Sequence, residues 1–241
     1  MSAATQNTGQ RSSPNMKSLY ILGGAAPLVT LVFYISEFVF IQWDKYPTSI
    51  ENWFLLFQQS KVVGLFYLNA LDILSIALLG VMFLALYEAF KPIHESLMKI
   101  AAYFGLLGVG VFIVPRVAML SIMSLSDRFA LAHTAEEGIR LLAAGETLGA
   151  LGTATPQTAG FFFMAVGVFV LSLVMLRGNQ FNKITAWIGI LACLITLADD
   201  LSLLFAPGLS TSLMIGSGLF WIPWWILIGA GLLRLALREK A

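Results

Sequence analysis

Six long apolar stretches, separated by shorter polar ones, set the pattern of the chain. A helix needs roughly 20 mostly apolar residues to cross the hydrocarbon core of a bilayer, and each stretch is long enough to do so. The pattern predicts an all-α polytopic membrane protein, a six-transmembrane-helix bundle that forms a single domain over residues 16–241. Residues 1–15, rich in Ser, Thr, Asn and Gln, predict a disordered tail. The predicted spans are about 18–41, 62–87, 98–124, 157–177, 184–206 and 212–235.

Two of the connections carry a helix-start signal. Thr48-x-x-Glu51 and Thr134-x-x-Glu137 both match the capping box, in which side chains satisfy the free N–H groups at a helix N-terminus. Apolar residues follow each signal at helical spacing. We therefore predict two short amphipathic helices on the outer face, with an ordered loop containing helical fragments as the alternative. The two predicted stripes are Ile50, Trp53, Phe54 and Phe57, and Ala135, Gly138, Ile139, Leu142 and Ala143.

Composition narrows the class of protein further. Hydrophobic residues make up 59% of the 241 positions and charged residues only 11%, and the mean hydropathy is +0.86. A soluble domain carries about 25% charged residues, so a soluble globular enzyme is excluded. The net charge of +1 provides no field that would attract a nucleic acid, and we expect none as a partner. The single cysteine, Cys193, excludes an internal disulfide.

The distribution of basic residues predicts the orientation. One set of span ends carries nine Lys and Arg residues against three acidic ones, whereas the opposite set carries four against six. Basic residues concentrate in the cytoplasmic loops of membrane proteins. We therefore expect a multi-pass protein of the cell membrane with both termini, including the tail, in the cytoplasm.

Charged side chains inside the predicted spans are the candidate functional residues. A charge near the bilayer centre costs at least ~2.5–3.5 kcal/mol, so such residues must face a partner, a cavity or the membrane edge. At a rise of about 1.5 Å per residue, all of them fall roughly 23–30 Å above the cytoplasmic lysines, in one polar layer in the outer third of the membrane. With one polar neighbour, they are Glu37, Asn69, Asp72, Arg116, Asp199 and Asp200.

Three side chains from the remaining spans, Gln157, Ser217 and Trp221, are predicted to complete this layer. Arg116 can neutralise one aspartate, and the other carboxylates then need a proton, water or a cation. Polar groups that converge in an aromatic-lined cavity are typical of a small-molecule site. The prediction is an outward-facing polar pocket that binds a small molecule, a lipid or a cation, in a transporter-like protein or a sensor.

Several alternatives stay open. The polar layer can be purely structural, with an Asp–Arg pair that clamps two helices. The protein can be a membrane-embedded enzyme that uses its carboxylates on a lipid-like substrate, or a structural subunit of a larger complex, and a homo-oligomer is also open. Both histidines, His94 and His133, lie outside the spans, which argues against haem or multi-histidine metal sites within the bundle. The sequence identifies no catalytic residue, no metal site and no particular cofactor.

Short motifs add a resemblance to a family. Asp72, the Leu86-Tyr87 end of the second span, Lys91-Pro92 after it and the Phe205-x-Pro207 exit of the fifth span carry it. With six spans in this length, the chain resembles a bacterial six-span integral membrane family catalogued only as a domain of unknown function. The resemblance covers most of residues 18–235. It implies a bacterial inner-membrane location and no defined activity.

Overall fold

A computed structural model describes residues 16–42, 45–153 and 155–238, without the side chains of 152–158, 204 and 207. The predicted tail, 1–15, lies outside the described residues. Most of the described residues are helical, and no β-strand occurs among them, which confirms the all-α class. The helices are α1 (Met16–Phe40), α2 (Ile50–Gln59), α3 (Lys61–Tyr67), α4 (Leu71–Met119), α5 (Ser121–Ala130), α6 (Ala135–Thr153), α7 (Thr155–Arg177), α8 (Lys183–Phe205) and α9 (Ser210–Arg238).

Helix α4 is a hairpin rather than one rod. His94 has a non-helical backbone (φ −157°, ψ 85°), and Pro92, just before it, has no N–H to donate to the helix. Arms 71–93 and 95–119 then run antiparallel. Gly105 lies against the ring of Phe83, and both are 11 residues from the break. The second and third predicted spans therefore pack together as a helical hairpin.

Five helices in the described part of the chain are long and apolar enough to cross a membrane, which confirms a polytopic membrane protein. The hairpin counts as one of the five, as the continuous segment Leu71–Ala130. Six crossings require each arm to span the bilayer separately, and that number stays a prediction. The second predicted span, about 62–87, is divided between two helices in the structure. The chain turns at Asn69, so α3 is a separate short helix and the long apolar helix begins at Leu71.

The long helices close into a ring. Helix α4 packs on α1 and α7, α9 packs on α1 and α8, and α7 packs on α8. Gly105 and Gly108 of α4 lie against Gly167 and Gly160 of α7, in reversed order, so these neighbouring helices run antiparallel. The same reversed order holds for α1 and α9, where Gly24 lies against Gly229 and Tyr34 against Trp225. Buried aromatic and aliphatic side chains fill the interior, including Phe90, with Trp224 fully buried.

Because of these directions, the first described residue, the hairpin turn and the last described residue all lie at one end of the bundle. We call it the His94 end, and the opposite one the distal end. Two described acidic side chains, Glu88 and Glu95, lie at the His94 end. Its described basic side chains are Lys17, Lys91, Lys99, Arg177, Lys183, Arg234 and Arg238.

Four helices, α2, α3, α5 and α6, form a cap at the distal end. Its apolar side chains make a second core, separate from that of the long helices. The buried hydroxyl of Ser126 on α5 donates to the carbonyl of Phe54 on α2 at 2.7 Å. Two predicted helices, α2 and α6, are therefore present. They pack with α5 in the cap, and α6 is longer than predicted, at 19 residues.

Of the two helix-capping residues predicted from the sequence, Thr134 is confirmed and Thr48 is not. The hydroxyl of Thr134 accepts from the backbone N–H of Glu137 at 3.2 Å, as predicted. At α2 the cap is Ser49, whose hydroxyl accepts from Asn52 N–H at 3.3 Å, and not Thr48. The predicted stripe of α2 faces the second core, with Phe54 and Phe57 buried and the other two residues partly buried. In the stripe predicted for α6, by contrast, Ile139 is 66% exposed.

The buried face of α6 is instead formed by other residues. Leu141 is buried in the second core, and Gly145 approaches Ile50 and Phe54 of α2. The helices that pack on α6 account for the difference between its predicted and its observed buried face. Helix α6 packs on α2, α4, α5 and α7, and this contact surface is not the stripe of highest apolar content.

Candidate functional site

A buried ion pair joins the two arms of α4 near the distal end of the bundle. Arg116 Nη2 lies 3.4 Å from Asp72 Oδ2, and the two side chains are only 8% and 9% exposed. The hairpin accounts for the pairing, because Asp72 and Arg116 are each 22 residues from His94. The guanidinium also lies over the ring of Phe112, 5.3 Å from its centroid, in cation–π geometry. The predicted Asp–Arg pair thus involves Asp72.

Glu37, in the last turn of α1, adds a second buried carboxylate. Its side chain is 4% exposed, and its Oε1 accepts the backbone N–H of Leu71 at 3.2 Å. That N–H begins α4, so a negative side chain occupies the positive end of the helix dipole. The charges of Asp72 and Arg116 both act on the Glu37 carboxyl. Asp72 Oδ1 is buried and has no hydrogen-bond partner among the described atoms.

The turn at Asn69 positions this group. Asn69 has a φ of 54°, in the left-handed region that asparagine tolerates better than most residues. Its N–H donates to Phe66 O at 3.0 Å, and its carbonyl accepts from Asp72 N at 3.1 Å. Asn69 thus ends α3 and sets the first turn of α4, which carries Asp72. Its predicted role in ligand binding stays a prediction.

Tyr34 belongs to the same group and was not predicted from the sequence. Its phenol is within electrostatic reach of Asp72, Glu37 and Arg116. Its ring packs on that of Trp225 of α9, with 5.6 Å between centroids. The signal that could have identified it is its spacing: Tyr34 precedes Glu37 by three residues, which puts both on one helix face.

The predicted aspartates of α8 form a second polar group, with α9. The hydroxyl of Ser210 donates to Asp199 Oδ1 at 2.6 Å, and that of Ser202 donates to the Asp199 carbonyl at 2.8 Å. Asp200 Oδ2 is buried, and no described residue donates to it. The two side chains differ in their partners, as expected of neighbours about 100° apart around a helix.

An aromatic row lies between the two groups. From Trp225 it continues to Trp221, with ring centroids 6.2 Å apart. The indole N–H of Trp221 donates to Thr196 Oγ1 at 2.9 Å. Thr196 is one helical turn before Asp200 on α8. Tyr34, Trp225, Trp221 and Thr196 therefore form a continuous path across α1, α9 and α8.

The last two predicted side chains add less to the site. Ser217 is buried, and its hydroxyl donates to the Met214 carbonyl of its own helix at 2.9 Å. Gln157 lies in α7, but its side chain is outside the described residues. Within the described chain, no cluster of three or more His, Cys, Asp or Glu side chains could hold a metal ion.

Two cavities lie elsewhere. One, of about 180 Å³, is at the His94 end between α8 and α9. The other, of about 400 Å³, is in the cap between α5 and α6. None of the nine predicted residues lines either cavity. The pocket predicted at the distal end therefore stays a prediction.

A family model matches most of the chain. Residues 58–230 match the family model DUF4386, described as a domain of unknown function. The match covers α3 to most of α9, and so contains all the predicted site residues except Glu37. No curated protein and no solved structure matches the chain.

Proposed function

Since the chain belongs to the DUF4386 family, whose function is unknown, we propose from its own residues that it binds a cation or small solute. The binding site is at the distal end of the bundle, around Glu37, Asp72 and Arg116. The protein is then transporter-like or a sensor. It lies in the cell membrane, with the basic His94 end in the cytoplasm and the distal end outside.

The observation that carries this proposal is an imbalance of buried charge. Two buried carboxylates, Glu37 and Asp72, face one buried guanidinium. Close carboxylates cannot all be ionised at low cost inside a membrane, so one needs a proton or a cation. A group that must be neutralised in this way suits a site that exchanges protons or cations with the solution.

The second polar group extends the same argument. Asp199 and Asp200 bring the number of carboxylates in the distal parts of the long helices to four, against the single guanidinium of Arg116. The row from Tyr34 to Thr196 connects the two groups with a phenol, an indole N–H and a hydroxyl. Such groups can orient a small polar ligand between apolar walls.

A cation-dependent melting experiment tests the proposal. The purified protein in mild detergent is melted in NaCl and in N-methylglucamine chloride of equal ionic strength. Sodium at ten times its Kd should stabilise the protein by about 1.4 kcal/mol, which raises Tm by roughly 3–5 °C for a chain of this size. Glu37→Gln and Asp72→Asn should abolish the difference. Asp127→Asn, at an exposed carboxylate paired with Lys61, is the control and should retain it.

Native mass spectrometry extends the test to other ligands. A non-protein mass that wild type retains, and that Asp72→Asn or Asp200→Asn loses, would support a binding site. The mass itself would distinguish a metal from a small solute. The proposal would be contradicted if Tm is the same in both salts and if wild type and the variants all show only the mass of the protein chain. That result would favour a structural clamp.

A further inference from the structure

The cavity at the His94 end has the chemistry of an anion site. Its volume is about 180 Å³, and its walls come from the α7–α8 connection, the first turn of α8 and the last turns of α9. Arg234 and Arg238 both line it. They are four residues apart on α9 and so share one face of that helix. The cavity lies at the opposite end of the bundle from the carboxylates of the proposed function.

The two arginines are available to an external anion. No described carboxylate forms an ion pair with either of them. The two described acidic residues at this end are already paired: Glu88 with Lys91, and Glu95 with Lys99. The cavity therefore carries two positive charges that the described part of the protein does not neutralise.

A buried threonine lines the same space. Thr185, in the first turn of α8, is 2% exposed and lines the cavity. Its backbone N–H donates to Asn182 O at 3.0 Å. The N-terminal end of α8, a helix of 23 residues, adds the positive end of its dipole. A hydroxyl donor and two guanidinium groups at a helix N-terminus match the oxygens of a phosphate.

The wall of the cavity is built rigidly. The ring of Phe181 packs directly on Gly231, where an added Cβ atom would clash with it. The ring also contacts Phe90 of the hairpin, with 5.2 Å between centroids. The side chain of Asn182 caps α8 by accepting from Ile184 N–H at 3.0 Å. This fixes the α7–α8 connection beside α9 without any ligand.

We propose that this cavity binds a phosphate group, presented by the headgroup of an anionic phospholipid or free in solution. Basic cavities between helices at the cytoplasmic membrane surface are suited to anionic headgroups. Leu227 and Leu235 add apolar surface beside the arginines, where the glycerol and first acyl carbons of a lipid would lie. The site is distinct from the distal carboxylates and does not depend on them.

The test uses the full chain in mild detergent with three probes: dioctanoyl phosphatidylglycerol, dioctanoylglycerol and sodium phosphate. Phosphatidylglycerol should bind, and the double substitution Arg234→Gln/Arg238→Gln should lower its affinity about fivefold for each arginine removed. Thr185→Val, which keeps the side-chain shape, should weaken it about tenfold through the loss of one hydrogen bond to a charged group. Arg128→Gln/Arg140→Gln, which removes the same charge from the cap, should leave it unchanged.

The three probes distinguish the two sources of phosphate. Binding of phosphatidylglycerol without competition from sodium phosphate supports a lipid site, whereas competition supports free phosphate as the ligand. Absence of binding by both phosphate probes would overturn the proposal. So would equal binding of dioctanoylglycerol, which has the same chains and no phosphate, or equal weakening in the Arg128/Arg140 control.

Discussion

Removing both Glu37 and Asp72 should destabilise the bundle by more than the sum of the two single substitutions. The reason is an asymmetry between the charged groups. A buried carboxyl that loses its partner can become neutral by binding a proton, but a guanidinium cannot lose its charge. Arg116 still has one carboxylate nearby in Glu37→Gln or Asp72→Asn, and has neither in the double variant.

The magnitude follows from the ion pair. At 3.4 Å between Arg116 and Asp72, and an effective dielectric constant of about 20, the attraction is about 5 kcal/mol. Glu37→Gln should cost about 1 kcal/mol, because the amide oxygen can still accept from the N–H at the start of α4. Asp72→Asn should cost about 2 kcal/mol, the value of a hydrogen bond to a charged group. The double variant should lose about 2 kcal/mol beyond their sum, which brings the total near the cost of orphaning a buried charge.

Equilibrium unfolding in mixed micelles of dodecylmaltoside and SDS measures these free energies. The control is Asp127→Asn/Glu136→Gln, because these carboxylates belong to two separate exposed ion pairs and their effects should add. Adding Arg116→Met to the Glu37/Asp72 double variant should restore stability, since it removes the buried guanidinium that has lost both carboxylates. Additive losses, or no recovery with Arg116→Met, would refute the reasoning.

Three further substitutions test the packing and the caps. Gly108→Ala should lower the free energy of unfolding by about 1–3 kcal/mol, because the added Cβ would lie 2.6 Å from a carbonyl oxygen of α7. The control is Gly110→Ala, whose Cβ meets nothing within 4 Å and which should be neutral or stabilising in the same melting experiment. Ser49→Ala should speed hydrogen exchange at the start of α2 by about fivefold, for about 1 kcal/mol of cap energy, and Thr48→Ala should not. Trp221→Phe should lower the free energy of unfolding by about 1 kcal/mol through its lost hydrogen bond to α8.

The fold follows from the sequence to the extent that helix length and apolarity decide it. Apolar stretches of this length must form helices in a membrane, because no water is present there to bond the backbone. The turn at Asn69 could not be predicted in this way, since it lies inside a continuous apolar stretch and depends on one left-handed residue. Choosing Ser49 over Thr48 as the cap was equally unpredictable, because either hydroxyl can serve.

The sequence predicts the depth of the charged residues along the bundle, but not which side chains pair with each other. Counting residues from the basic ends gives the depth of Asp72 and Arg116 along the bundle, since the rise per residue is constant. It does not give the direction in which each side chain points around its helix. The pairing of Arg116 with Asp72, and of Asp199 with Ser210, depends on which helices are neighbours. Tyr34 was missed for a related reason, because it carries no charge to single it out within an apolar span.

The distal carboxylates and the cavity at the His94 end should act independently, although α8 contributes to both. Thr185 and Asp200 are 15 residues apart on that helix, which separates them by about 22 Å at 1.5 Å per residue. At that separation and an effective dielectric constant of about 20, two unit charges interact by less than about 1 kcal/mol. Arg234→Gln/Arg238→Gln should therefore leave the sodium-dependent rise in Tm unchanged, and Asp72→Asn should leave phosphatidylglycerol binding unchanged. A shift in either cross-measurement would mean that α8 moves as a unit between two positions, which would couple the two ends mechanically.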